Sequence, residues 1–354
     1  MLLVCLLLFA QAPFATDLDQ RLGEVYRRDE PGVAVLVARL DGSVLFKNGY
    51  GVADLTTRTP FSTTTISNTG SISKTFVAFA VLKLVEQGKL RLTDTLDTYF
   101  ADFEHPEIAK QIRIEHLLSH TSGLPDIRNV DAHRAYFLTA RDEENFAPLK
   151  KTSKLSFEPG ERFEYSNPAF NGLALIVQQR SGMRWQSFIE EEIFAPAGMT
   201  ESKITDGAFP SKGVAHGYDQ AGGEWQEDDY GEFPTFCAAG NGGVWCSVED
   251  LLRYELSIQR GTFLSKELIT RSRTPLRPEN WRSTAKPAVG FSWFVTESNG
   301  QPVISHSGSQ GGFRAWHDVY PTKDLIVIWL GNAGQHSMAV RSILNELLVA
   351  HHLL

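Results

Sequence analysis

Apolar and polar positions alternate in blocks along this chain, and the blocks predict its elements. The first block, Leu2 to Ala10, carries no charge. It is too short to span a bilayer, and "APFA" after it offers small residues for processing near Ala15. Residues 1–16 are therefore expected to form a secretory signal, and the protein to be exported to the periplasm or outside the cell. No Lys or Arg precedes the block, so a buried N-terminal helix or an interfacial anchor is the alternative. Cys5 lies inside the block, which argues against lipid attachment there. "DLDQRLGEVYRRD" then reads as a helix broken by Pro31-Gly32. "VAVLVARLDGSVLFKNGYGVAD" reads as two strands around Asp41-Gly42, a hairpin signal that implies an antiparallel sheet.

From Thr69 the period changes. "KTFVAFAVLKLVEQGK" is apolar nearly all round and predicts a buried helix ended by Gly88. "IRIEHLLSHTSGLP", "SNPAFNGLALIVQQRSG" and "RWQSFIEEEIFAPAGM" predict further helices. Residues 126–155 are charged and irregular, and are expected to shape a pocket mouth. Beyond Glu201, "GFSWFVT", "VISHSG", "FRAWHDVYP" and "LIVIWLGN" read as strands of one sheet, closed by a helix over "SMAVRSILNELLVAHHLL". The expected fold is α+β: an antiparallel sheet flanked by N- and C-terminal helices, with a mainly helical lobe inserted. A sheet lobe is expected over about 17–66 and 200–354, and a helical lobe over about 67–199.

Composition narrows the classes. The 354 residues include 42% hydrophobic and 21% charged positions, which is a globular balance. The net charge is −8 and no basic run stands out, so nucleic acid is not an expected partner. Outside the first block only Cys237 and Cys246 remain. Either a disulfide between them or two free thiols fits an exported protein.

The candidate chemistry begins at "SISK". Chance alone supplies about one Ser-x-x-Lys tetrad in a chain of this length, and "STAK" (Ser283 to Lys286) is a second copy. Ser71 and Lys74 would share one face of a helix, at an N-terminus that favours a developing anion. A dry apolar helix behind them would lower the lysine pKa. Alternatively Ser71 is a cap and Lys74 a solvated position. Lys286 precedes Pro287, which disfavours helix there, so that copy reads as surface.

Three further stretches add to this. In "EYSNPAF", Tyr165 beside an ammonium would ionise more easily and serve as a general base, and Asn167 would hold a substrate amide. Otherwise they are a core tyrosine and a helix start. In "HSGSQGG", Gly308 at a strand edge would let a substrate backbone approach; otherwise the stretch is a glycine-rich turn. His116 and His120 have a helical zinc spacing, but no third ligand is evident and packing roles are expected.

"SISK", "YSN" and "HSG", in this order, resemble the three active-site elements of the penicillin-recognising serine hydrolases, closest to the class C β-lactamase-like branch. "LLSHTSGLP", "IFAPAGM" and "HSGSQGGFRAW" fit the same branch, and the likeness runs from about Leu18 to Gly331. That branch includes β-lactamases, DD-carboxypeptidases, D-aminopeptidases and some esterases. The resemblance implies Ser71 as nucleophile. Lys74 and Tyr165 would share proton transfer: Tyr165 takes the serine proton, or relays it through Lys74, and returns one to the leaving group. Asn167 would position substrate, and the backbone N–H groups of Ser71 and Ser309 would form an oxyanion hole. His306 stands where many members carry lysine, and Gly308 keeps the strand edge open. No metal or organic cofactor is implied. A partly charged His306 is a weaker carboxylate site than lysine, so peptidase or esterase activity ranks level with β-lactamase activity. The rival expectation is a non-hydrolysing penicillin-binding or sensor-type protein that keeps the pocket.

Overall fold

The computed structural model describes residues 2–130, 132–137, 139–205, 213–228 and 238–354. Its centre is a six-stranded sheet. β1 (Val33–Ala38) and β2 (Val44–Tyr50) come from the start of the chain. β3 (Phe294–Ser298), β4 (Gln301–Gln310), β5 (Phe313–Tyr320) and β6 (Leu325–Gly331) come from its end. The order is β3-β4-β5-β6-β1-β2, with every neighbouring pair antiparallel. β1 lies beside β6, with Val35 opposite Trp329. Both strands are buried throughout, which explains their unbroken apolar runs.

The two sheet faces hold two cores. Val35, Val37, Val327 and Trp329 point to one face, where Leu18 and Leu22 of α1 (Leu2–Val25) and Leu344 and Leu347 of the C-terminal helix pack. Ala34, Leu36, Ile326, Ile328 and Leu330 point to the other. There they meet the helices from the middle of the chain, first α2 (Ser73–Glu86), whose residues from Ser73 to Leu82 are all buried. This is the antiparallel sheet with terminal and inserted helices that the residue pattern predicts.

Several local expectations need correction. The helix over "IRIEHLLSHTSGLP" is only Ile114–Leu118 (α3), because the backbone turns left-handed at His120 (φ 56°). The segment after residue 126 is not all irregular: Asp142–Phe146 (α4) and the turn Ala147–Lys151 bury Phe146 and Leu149. "SNPAFNGLALIVQQRSG" gives α5 (Asn167–Ser181), and Trp185–Ile189 (α6) continues as a wider turn through Phe194. A helix that the residue pattern left unassigned, α7 (Val248–Arg260), is capped by the Ser247 side chain. Its signal was present: Leu251, Tyr254 and Ile258 repeat at helical spacing. On α7, Glu255 pairs with Arg273 at 2.6 Å and lies 3.1 Å from His317 of β5, so a buried ionic cluster ties α7 to the sheet. "GFSWFVT" becomes strand only from Phe294.

α1 runs unbroken from Leu2 past Ala15, and Phe14 is buried against His351. Among the described residues no helix is long and apolar enough to cross a membrane. Cys246 is buried and forms no disulfide among the described residues. Cys237, and with it the question of pairing, lies outside the described residues.

Candidate active site

Ser71 sits in a single tight turn, Gly70–Ile72, that feeds directly into α2. Gly70 is there for space and conformation. Its φ is 50°, and a methyl group on it would overlap the Ser309 amide. A methyl group on Gly308 would overlap the Thr69 carbonyl in the same way. These two glycines let the end of β4 press its backbone against Thr69–Ser71. The backbone at Gly308–Ser309 thereby lies against that at Thr69–Ser71, the two segments whose amides the resemblance implies for an oxyanion hole.

Lys74 is fully buried on the first turn of α2. Its Nζ lies 2.9 Å from Ser71 Oγ and donates to the Asn241 carbonyl at 2.7 Å. Burial holds the ammonium well below the usual lysine range, and the charge of Arg128 adds to the effect. Nζ also stands 5.1 Å from the centre of the Tyr165 ring.

Tyr165 lines the same cleft as Ser71 and interacts with its hydroxyl, so the three groups expected to act together do meet. The expectation that Tyr165 ionises easily is overturned. Desolvation of the phenol raises its pKa, and the Ser71 contact offsets only part of that. The buried amine, not the phenol, is the better base of the pair in this arrangement.

Asn167 opens α5 behind the Ser166 cap, and its Oδ1 is buried with no partner. An orphaned buried acceptor of this kind is satisfied when a donor arrives, as a substrate amide would. His306 lies on β4 opposite His317 and is 2% exposed. Its Nδ1 bonds the Ser307 carbonyl at 2.7 Å, and Nε2 is buried without a partner. Burial, then the nearby Lys74, lower its pKa to about 3. The expectation of a partly charged His306 is corrected: this imidazole is neutral at neutral pH.

A cleft of about 430 Å³ joins Ser71, Tyr165, His306, Gly308 and Ser309. Phe294 and Trp316 give it aromatic walls, with Phe294 edge-on to His306 at 5.5 Å. The cleft opens where β4 runs beyond its pairing with β3, which stops at Ser305.

Sequence reasoning placed His120 among packing residues and missed its job. Its ring stacks on Tyr165 at 4.3 Å, and its Nδ1 accepts the Ser166 amide at 3.0 Å. Burial lowers its pKa, so it is a neutral plate under the tyrosine. His116 instead accepts the Arg113 amide and caps α3. The second tetrad is as expected: Ser283 lies in a loop, where its hydroxyl accepts from Ala285, and Lys286 is exposed.

A family model described as "Beta-lactamase" matches residues 15–350. A penicillin-binding protein of Bacillus subtilis (strain 168) is 27% identical over 95% of this chain and 74% of its own length. A D-aminopeptidase of Brucella anthropi is 28% identical over 81% of this chain and 54% of its own, so this chain spans about half of that relative. Among solved structures, an octameric penicillin-binding protein homologue from Pyrococcus abyssi superposes with a TM-score of 0.78 at 26% identity. That match covers 96% of this chain and 77% of the other.

Proposed function

This chain belongs to the beta-lactamase family, and we propose that it is a serine hydrolase that cleaves amide or ester bonds through an acyl-enzyme on Ser71. The observation that carries the reading is the buried, deprotonation-prone Lys74 amine 2.9 Å from Ser71 Oγ. Ser71 Oγ attacks the substrate carbonyl carbon, and its proton passes to Lys74 Nζ. The carbonyl oxygen becomes an oxyanion held by the Ser71 and Ser309 amides. Tyr165, a neutral phenol, gives its proton to the departing nitrogen or oxygen and regains one from Lys74. Water then adds to the ester on Ser71, and the acyl group leaves as an acid.

His306 Nε2, in the cleft, and Asn167 Oδ1, two residues past Tyr165, are buried acceptors without a partner among the described residues. They suit a substrate that brings N–H or O–H donors. With His306 neutral, the strand supplies no charge at that position for a carboxylate. A relative that is a D-aminopeptidase favours small peptide amides, and esters follow by the same chemistry. Export is part of this proposal and rests on the Leu2–Ala10 run. The mass of the mature N-terminus tests it.

The test of function is a panel on purified protein: short-chain esters, D-amino-acid amides and a chromogenic cephalosporin. Turnover of at least one, abolished in Ser71→Ala, is expected. Stable labelling by penicillin without turnover of any member would leave a binder in place of an enzyme.

A further inference from the structure

Asp142 is a buried carboxylate at the start of α4, in the segment expected to line the pocket mouth. Among the described residues its hydrogen-bond partners are all N–H donors, and none is a cation. Oδ1 accepts from Asn171 Nδ2 at 2.6 Å and from the Gly240 amide at 3.0 Å. Oδ2 accepts from Trp185 Nε1 at 3.1 Å. A buried acid held only by neutral donors is costly, and a neutral residue would fill the place more cheaply.

The bonds do not stop at Asp142. Because Asn171 spends its Nδ2 on the carboxylate, its Oδ1 must face the other way. It accepts there from Asn241 Nδ2 at 3.0 Å. The same carboxylate oxygen pins the Gly240 amide, one residue before Asn241. Asn241 is thus held through its side chain and through the preceding peptide. Its carbonyl oxygen is the acceptor for Lys74 Nζ at 2.7 Å. Asn171 and Asn241 are both fully buried, so water does not compete for these bonds.

We infer that Asp142 is a positioning residue for catalysis: through Asn171 and Asn241 it fixes the carbonyl that aims the Lys74 amine at Ser71. A carboxylate suits this role because, when ionised, it only accepts. It therefore sets the orientation of both asparagine amides along the chain. The inference rests on the reading of Ser71 and Lys74 as nucleophile and base.

The test uses a fluorophosphonate as acylating probe, together with kcat and KM on whichever ester the enzyme accepts. Asp142→Ala is expected to lower the labelling rate and kcat about tenfold or more, with KM within about twofold. Asp142→Asn keeps an oxygen for Gly240 and Asn171 and is expected to recover part of the loss. Asn241→Ala keeps its carbonyl but cuts the side-chain link, and is expected to act in the same direction. The Asp142→Ala/Asn241→Ala double variant should be no slower than the slower single one. Should Asp142→Ala not fold, Asn241→Ala carries the test, since it leaves the Gly240 and Trp185 bonds of the carboxylate intact. A lowered melting temperature with an unchanged labelling rate per folded molecule would overturn the inference, as would additive losses. Absence of labelling at Ser71 in the wild type would instead overturn the reading beneath it.

Discussion

Ser71 and Lys74 share one face of a buried helix start, whereas Ser283 and Lys286 have the same spacing on an open loop. In the first copy the lysine is fully buried, its Nζ has two partners, and one of them is the serine hydroxyl. In the second copy the lysine is exposed and the serine hydroxyl serves its own turn. The spacing is identical, so spacing is not what makes the chemistry. Burial lowers the amine pKa, backbone from a distant strand supplies a second amide, and a tyrosine closes the set.

That contrast predicts a graded series of losses. Ser71→Ala should lower kcat/KM by about 10⁴-fold or more, measured with the accepted ester. Lys74→Ala should cost about 10³-fold, because it removes the buried amine 2.9 Å from Ser71 Oγ. Tyr165→Phe should cost about 10²-fold, with the larger share on amides, whose nitrogen needs a proton to leave. His306→Gln should leave the shape of the pH–rate curve unchanged between about pH 5 and 8. The His306 pKa near 3 keeps the imidazole neutral across that whole window, so protonation there begins only in more acid solution. An imidazole step near pH 6.5 that vanished in His306→Gln would contradict this. At the bottom of the series, Ser283→Ala and Lys286→Ala should match the wild type within about twofold.

Much of this was readable from residues alone. Asp41-Gly42 between two apolar runs placed the hairpin, and the all-apolar helix after Thr69 foretold that Lys74 would be dry. Ser71, Lys74 and Tyr165 were singled out by the likeness of "SISK", "YSN" and "HSG", in that order, to one family's elements, since "SISK" alone has a decoy at Ser283. The remaining features depend on what distant segments bring. The neutrality of His306 comes from burial beside Phe294 and Lys74, which no neighbour in sequence announces. The raised pKa of Tyr165 has the same kind of origin. Asp142, Asn171 and Asn241 lie on three separate elements and have no shared pattern before folding joins them. His120 was visible in "HLLSH", but the left-handed backbone that turns its ring beneath Tyr165 was not.

The central claim is that Ser71 alone is activated, and one measurement meets it directly. Purified protein is treated with a fluorophosphonate, digested, and the adduct located by mass spectrometry. The account predicts a single modified peptide carrying the label on Ser71, formed at a rate that collapses in Lys74→Ala. A label on any other serine, or an undiminished labelling rate in Ser71→Ala, would contradict it.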